Sequence, residues 1–141
     1  MIAPPLTGRH ALVTGAARGI GAEIARALAA DGAVLTLLGR KLDSLKELAA
    51  QLPGGPHHAV AADVCDEAAV ARAFDEARAQ AGPVQILVNN AGQAESALLH
   101  KTSLELWNRM LAVNLTGSFL CARAALPDML AARSGRIINI A

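Results

Sequence analysis

Short apolar runs alternate along the chain with longer segments in which apolar residues recur every third or fourth position. The first run, from about His10 to Thr14, reads as a strand. Ile20, Ile24 and Leu28 then recur at helical spacing, with Glu23 and Arg26 on the other face, and Asp31-Gly32 ends that helix. Ala33 to Leu38 is almost wholly apolar, as expected of a parallel strand covered on both sides. Leu42, Leu45, Leu48, Ala49 and Leu52 predict a second amphipathic helix, stopped at Pro53-Gly54-Gly55-Pro56.

The same alternation continues. A third strand is expected from His58 to Ala62, and a third helix carries Val70, Ala73, Phe74 and Ala77 inward behind Asp66 as its N-cap. A fourth strand, Val84 to Val88, follows Gly82-Pro83. Beyond a loop from Gln93 to Lys101, Thr102-Ser103-Leu104-Glu105 has capping-box spacing. The helix it opens carries Trp107, Met110, Leu111, Leu115 and Phe119 on one side. It is expected to run past Gly117, with a kink at Pro127 and an end at Ser134-Gly135. Arg136 to Ile140 is the fifth strand. Strand and helix thus alternate throughout, which predicts an α/β, doubly wound parallel sheet with right-handed crossovers and strand order 3-2-1-4-5. Residues 1–141 read as one domain.

Composition narrows the class. The 141 residues are 53% hydrophobic and 18% charged, with a net charge of +1. That balance gives no reason to expect nucleic acid or an anionic membrane as partner. No apolar run approaches the ~20 residues of a membrane span, and the N-terminus lacks a signal peptide's apolar core, so a cytoplasmic protein is expected. Cys65 and Cys121 form no disulfide framework, and the four histidines, His10, His57, His58 and His100, have no metal spacing and read as surface or strand-end residues. No metal is expected. There is no tyrosine.

Chemistry concentrates at the carboxyl ends of the strands. Thr14-Gly15-Ala16-Ala17-Arg18-Gly19-Ile20-Gly21 joins the first strand to the first helix, where α/β folds bind phosphate on helical N–H groups. No Gly-Lys-Ser/Thr follows, which disfavours a P-loop kinase or ATPase. At the end of the second strand Gly39 stands where an NAD-type carboxylate would be, with Arg40 one place on. Arg40 and Arg18 could clasp a 2′-phosphate, which favours NADP over NAD; alternatively both are solvated surface charges. Asp63, with the Val64 backbone, could address an adenine, or cap the next helix. Asn89 and Asn90 must be hydrogen-bonded, to neighbouring strands or to a cofactor. Asn114 falls close to the helix's apolar stripe and needs a partner or a task, the plainer one being a bond to a backbone carbonyl. Gln93 to His100 is the stretch expected to touch a substrate.

Thr14-Gly15-x-x-x-Gly19-Ile20-Gly21, Asp63, Asn89-Asn90-Ala91-Gly92 and Val113-Asn114-Leu115-x-Gly117-x-Phe119 together resemble the N-terminal half of a short-chain dehydrogenase/reductase, with 3-oxoacyl-carrier-protein reductases and 3-hydroxyacyl dehydrogenases as general likenesses. The resemblance implies a Rossmann fold lacking its C-terminal strands. It places Gly15, Gly19, Ile20 and Gly21 on a pyrophosphate, Arg18 and Arg40 on NADP, and Asp63 and Val64 on adenine. Asn90, Ala91 and Gly92 would lie beside ribose and nicotinamide. Asn114 would match the catalytic asparagine that holds a water in the proton relay. A small ketone or secondary alcohol as substrate, and a homo-oligomer paired through the long helices, follow by the same resemblance. The family's serine and Tyr-x-x-x-Lys do not occur in these residues, which are therefore expected to be a fragment, inactive alone. A nucleotide-binding module without redox activity is the competing class. A methyltransferase is weaker, since it wants an acid near Gly39-Arg40.

Overall fold

The computed structural model describes residues 2–141. Its strands are β1 (His10–Thr14), β2 (Val34–Gly39), β3 (His58–Ala61), β4 (Ile86–Asn89) and β5 (Arg136–Asn139). All neighbours are parallel and the order is β3-β2-β1-β4-β5, as the alternation of elements predicts. Helices α1 (Gly19–Ala30), α2 (Leu42–Gln51), α3 (Glu67–Ala81), α4 (Leu104–Leu111) and α5 (Gly117–Ala132) connect and cover them.

Successive strand side chains point to opposite faces, so each strand feeds two cores. Ala11 and Val13 of β1 join Leu35, Leu37, Leu45 and Leu48 under α1 and α2. Leu12, between them, joins Val70, Phe74, Leu120 and Met129 under α3 and α5. Phe74 is fully buried, and its truncation to alanine would cost about 3–5 kcal/mol.

Several expectations need correction. The α1 face on the sheet is Gly21, Ala22, Ala25 and Ala29, whereas Ile20 is 64% exposed. Small residues win because this helix lies close to the strand it follows. In the long fourth helix, Trp107 and Phe119 are each 55% exposed, and Leu111 and Leu115 are exposed with them. The apolar stripe there faces outward. The side packed on the sheet is Leu120, Cys121, Ala125 and Met129. A π-helical stretch, Ala112–Thr116, separates α4 from α5 and shifts the phase of the stripe, which a uniform helical count misses. By length and composition the joined helix 104–132 would reach across a bilayer, yet this second side covers the sheet.

The caps fall largely as expected. Asp66 accepts from the Ala69 N–H at 3.0 Å and Ser103 from the Leu106 N–H at 3.1 Å. At the end of α5, however, the left-handed residue is Arg133 (φ 51°) rather than a glycine, and the Ser134 N–H closes back on Met129. Strand β4 begins at Ile86, two residues later than expected, since the Val84 N–H is taken by the Asp128 carboxylate at 2.9 Å.

Candidate dinucleotide site

Strand order reverses between β1 and β4, and the residues leaving those two strands meet. Thr14 is the hub. Its hydroxyl donates towards the Val88 carbonyl (3.4 Å) and accepts from the backbone N–H groups of Asn90 (3.0 Å) and Ala91 (2.9 Å). Asn90 returns the contact, its side-chain amide donating to the carbonyls of Thr14 (3.2 Å) and Gly15 (3.1 Å). Nothing in the spacing of the residues marked Thr14 for this task, beyond its being a polar residue ending an apolar strand.

The glycines follow from that closeness. Gly15 has φ 61°, and a Cβ on it would lie 2.9 Å from the Ala91 Cα. At Gly21 a Cβ would run into the Gly15 carbonyl oxygen and the Asn90 amide. Gly19 is different: no atom lies within 4 Å of a Cβ built there, so its outer side is open. Helix α1 starts at this open side with no side-chain cap and no acidic residue in its first turn. By contrast, α3 and α4 are capped by side chains and carry Glu67 and Glu105 in their first turns. An uncapped helix start free of negative charge, beside a turn stripped of side chains, fits a pyrophosphate.

Arg18, at the N-cap of α1, and Arg40, just past β2, are both exposed, and neither enters an ion pair among the described residues. Asp63 leaves β3 at the same edge, exposed, with Oδ1 accepting from the Cys65 N–H at 2.9 Å. Capping of α3 belongs to Asp66 instead. The Val64 side chain is buried against Gly117 at the start of α5, which leaves only its backbone for the edge. Burial, together with the Asp63 charge and hydrogen bond, pushes the Cys65 thiol up, and the Arg40 charge opposes this. Cys121 is pushed up to about 12 by burial, an inert core thiol.

Asn89 is buried, its amide donating to Asn139 Oδ1 at 2.9 Å and towards the Ser118 carbonyl, which ties β4 to β5 and α5. Asn114 is exposed, contrary to an inward position, but its amide is fully engaged. Oδ1 accepts from the Gln93 N–H (3.1 Å), while Nδ2 donates to the carbonyls of Gln93 (2.8 Å) and Met110 (3.0 Å). Gly92 gives it room, a Cβ there lying 2.8 Å from Oδ1. The loop Asn114 anchors is held further along by Arg109 on Glu95 (2.7 Å) and by the Thr102 hydroxyl on Leu98 (3.1 Å).

His10 stands at one end of β1 as expected but is no ordinary residue there, being only 3% exposed and hydrogen-bonded through both ring nitrogens.

The doubly wound sheet with a glycine turn at its switch point defines a dinucleotide-binding class. Residues 9–141 match the short chain dehydrogenase family, and the chain belongs to that family. It is 46% identical over 138 residues to D-threitol dehydrogenase of Mycolicibacterium smegmatis, covering 96% of this chain and 53% of that one. It is 38% identical to the 3-oxoacyl-(acyl-carrier-protein) reductase FabG of Aquifex aeolicus, covering 96% and 56%. A metagenomic short-chain oxidoreductase solved in complex with NADP superposes with a TM-score of 0.87 at 40% identity, covering 96% of this chain and 63% of that one. The chain thus spans about half the length of the curated relatives it matches.

Proposed function

We propose that the protein carrying this chain moves hydride between NADP(H) and a ketone or secondary alcohol, and that residues 1–141 form its cofactor-binding domain. The observation that carries this reading is the bare start of α1: no side-chain cap, no acid, and an open Gly19 facing outward. Gly15, Gly19, Ile20 and Gly21 would hold the pyrophosphate by their backbone. Arg18 and Arg40 would pair with a 2′-phosphate, with Gly39 offering no carboxylate to repel it. The solved relative bound to NADP supports that choice over NAD.

Asp63 keeps one carboxylate oxygen free of the Cys65 turn and would use it on the adenine amino group, beside the Val64 backbone. Asn90 serves by bracing the turn. Ala91 and Gly92 would lie along the ribose and nicotinamide. When bound, the cofactor supplies or accepts the hydride. Asn114 would position: its side chain is spent on Gln93 and Met110, so it ties the substrate-side loop to the end of α4. None of the 141 residues is a tyrosine, so a phenolic proton donor has to come from elsewhere.

The outward stripe of Trp107, Leu115 and Phe119 suits pairing with a second copy. Two free cysteines fit a reducing, cytoplasmic setting. The test is to mix the whole protein with NADPH and a panel of ketones and follow loss of the reduced cofactor. Turnover supports an oxidoreductase; tight NADPH binding with no turnover of any carbonyl would mean a nucleotide-binding module instead.

A further inference from the structure

At the edge of the sheet opposite the glycine turn, two consecutive residues of β2 are each held by an imidazole from a different neighbour. His10, from β1, places Nε2 2.7 Å from the Thr36 hydroxyl and Nδ1 2.9 Å from the Gly82 carbonyl. His57, just before β3, accepts the Leu35 N–H on Nδ1 at 3.1 Å, and its Nε2 lies 2.7 Å from the Pro53 carbonyl. These partners dictate the tautomers. A carbonyl can only accept and a backbone N–H can only donate. His10 therefore carries its proton on Nδ1 and accepts the Thr36 hydroxyl on Nε2. His57 carries its proton on Nε2 and accepts Leu35 on Nδ1. Each ring has one proton and needs one bare nitrogen.

We propose that His10 and His57 clamp Leu35 and Thr36 of β2, and that the clamp is acid-sensitive through His10, which is buried as a neutral imidazole, so that mild acid loosens the amino-terminal edge of the sheet. His57 supplies the acceptor of the Leu35 N–H in a place where β3 has not yet begun to pair with β2. Protonating His10 forces the Thr36 hydroxyl to turn from donor to acceptor and puts a charge into a buried site.

The surroundings do not welcome that charge. The carboxylate facing His10 from α5, Asp128, is already bonded to Arg78 of α3 and to the Val84 N–H. His58 of β3 faces it as well and would repel it if charged. His57 borders a cavity of about 540 Å³ whose other titratable groups are Lys46 of α2 and His58, with Gln80 of α3 beside them. No carboxylate lines it.

Burial, the largest cause, lowers the His10 pKa from 6.5, against the Gly82 and Pro83 carbonyls; His58 adds to the fall and Asp128 opposes it. The unfolded chain therefore takes up this proton first. The stabilisation is complete above 6.5 and is lost as pH falls through the lowered folded-state value.

The test uses the full-length protein and its His10→Asn variant, in which that position does not titrate. Between about pH 7.5 and about pH 5.5 the wild type should lose about 2–4 °C more in melting temperature than the variant. Should the variant fail to fold, nitrogen-15 spectra of the wild-type imidazoles decide: His10 should be protonated on Nδ1 alone and His57 on Nε2 alone. Equal pH dependence in the two proteins, or the reverse tautomer on either ring, overturns the clamp.

Discussion

Asn90 donates its side-chain amide to the carbonyl oxygen of Gly15 across 3.1 Å, so the glycine turn leaving β1 is braced by the residue that leaves β4. The same amide reaches the Thr14 carbonyl. Replacing it by aspartate puts an acceptor against two acceptors. Asn90→Asp in the whole protein should lower stability by about 1–3 kcal/mol and weaken cofactor binding about tenfold or more. Denaturant unfolding and a fluorescence titration with NADPH check the two effects, and an unchanged titration would show that the brace does not matter to the turn.

Gly21 and Gly39 give a matched pair. A Cβ at Gly21 meets the Gly15 carbonyl and the Asn90 amide, whereas at Gly39 it meets only Leu45 at 3.5 Å, an ordinary contact. Gly21→Ala should therefore cost about 1–3 kcal/mol although alanine is the better helix former, and Gly39→Ala should stay within about 0.5 kcal/mol. Parallel melts of the two variants measure this.

Both β1 and its place beside β2 were legible in the sequence, because strands buried on both faces leave unbroken apolar runs in an alternating strand–helix chain. The inward face of α3, at Val70, Ala73, Phe74 and Ala77, was legible for the matching reason that its period is regular. Helices α4 and α5 were misread where a π-helical stretch resets the period, an event with no composition of its own. Within the site, residue types marked Gly15, Gly21 and Asn90, since only glycine tolerates those approaches and a strand-end amide must find a partner. The bonding roles of Thr14, which opens the glycine motif, and of His10 were not legible, because a lone hydroxyl or imidazole in an apolar run looks like any other. What they bond, at Val88 and Gly82, comes from more than seventy residues away.

Asn114 is bonded to both the backbone N–H and the carbonyl of Gln93. Asn114→Ala should free the start of the 93–98 loop, raising KM for the carbonyl substrate several-fold and lowering kcat, while NADPH affinity changes less than threefold. Steady-state kinetics on the whole protein separates these; a selective loss of NADPH affinity would place Asn114 with the cofactor instead.

Arg133 ends α5 in the left-handed region, where a side chain costs about 1–2 kcal/mol. It is exposed and outside every ion pair found among the described residues. Arg133→Gly should therefore stabilise by up to about 1 kcal/mol, raising the melting temperature by about 2–4 °C. A lowered melting temperature would mean that the arginine makes a contact worth more than its backbone strain.

The most direct measurement is a side-by-side titration of the full-length protein with NADPH and NADH, repeated on Arg40→Ala. Arg18 and Arg40 on a 2′-phosphate require at least about tenfold tighter binding of NADPH, since one charge-assisted bond supplies that ratio, and most of the preference should vanish in the variant. Equal affinities for the two cofactors in the wild type would contradict an NADP site at this edge of the sheet.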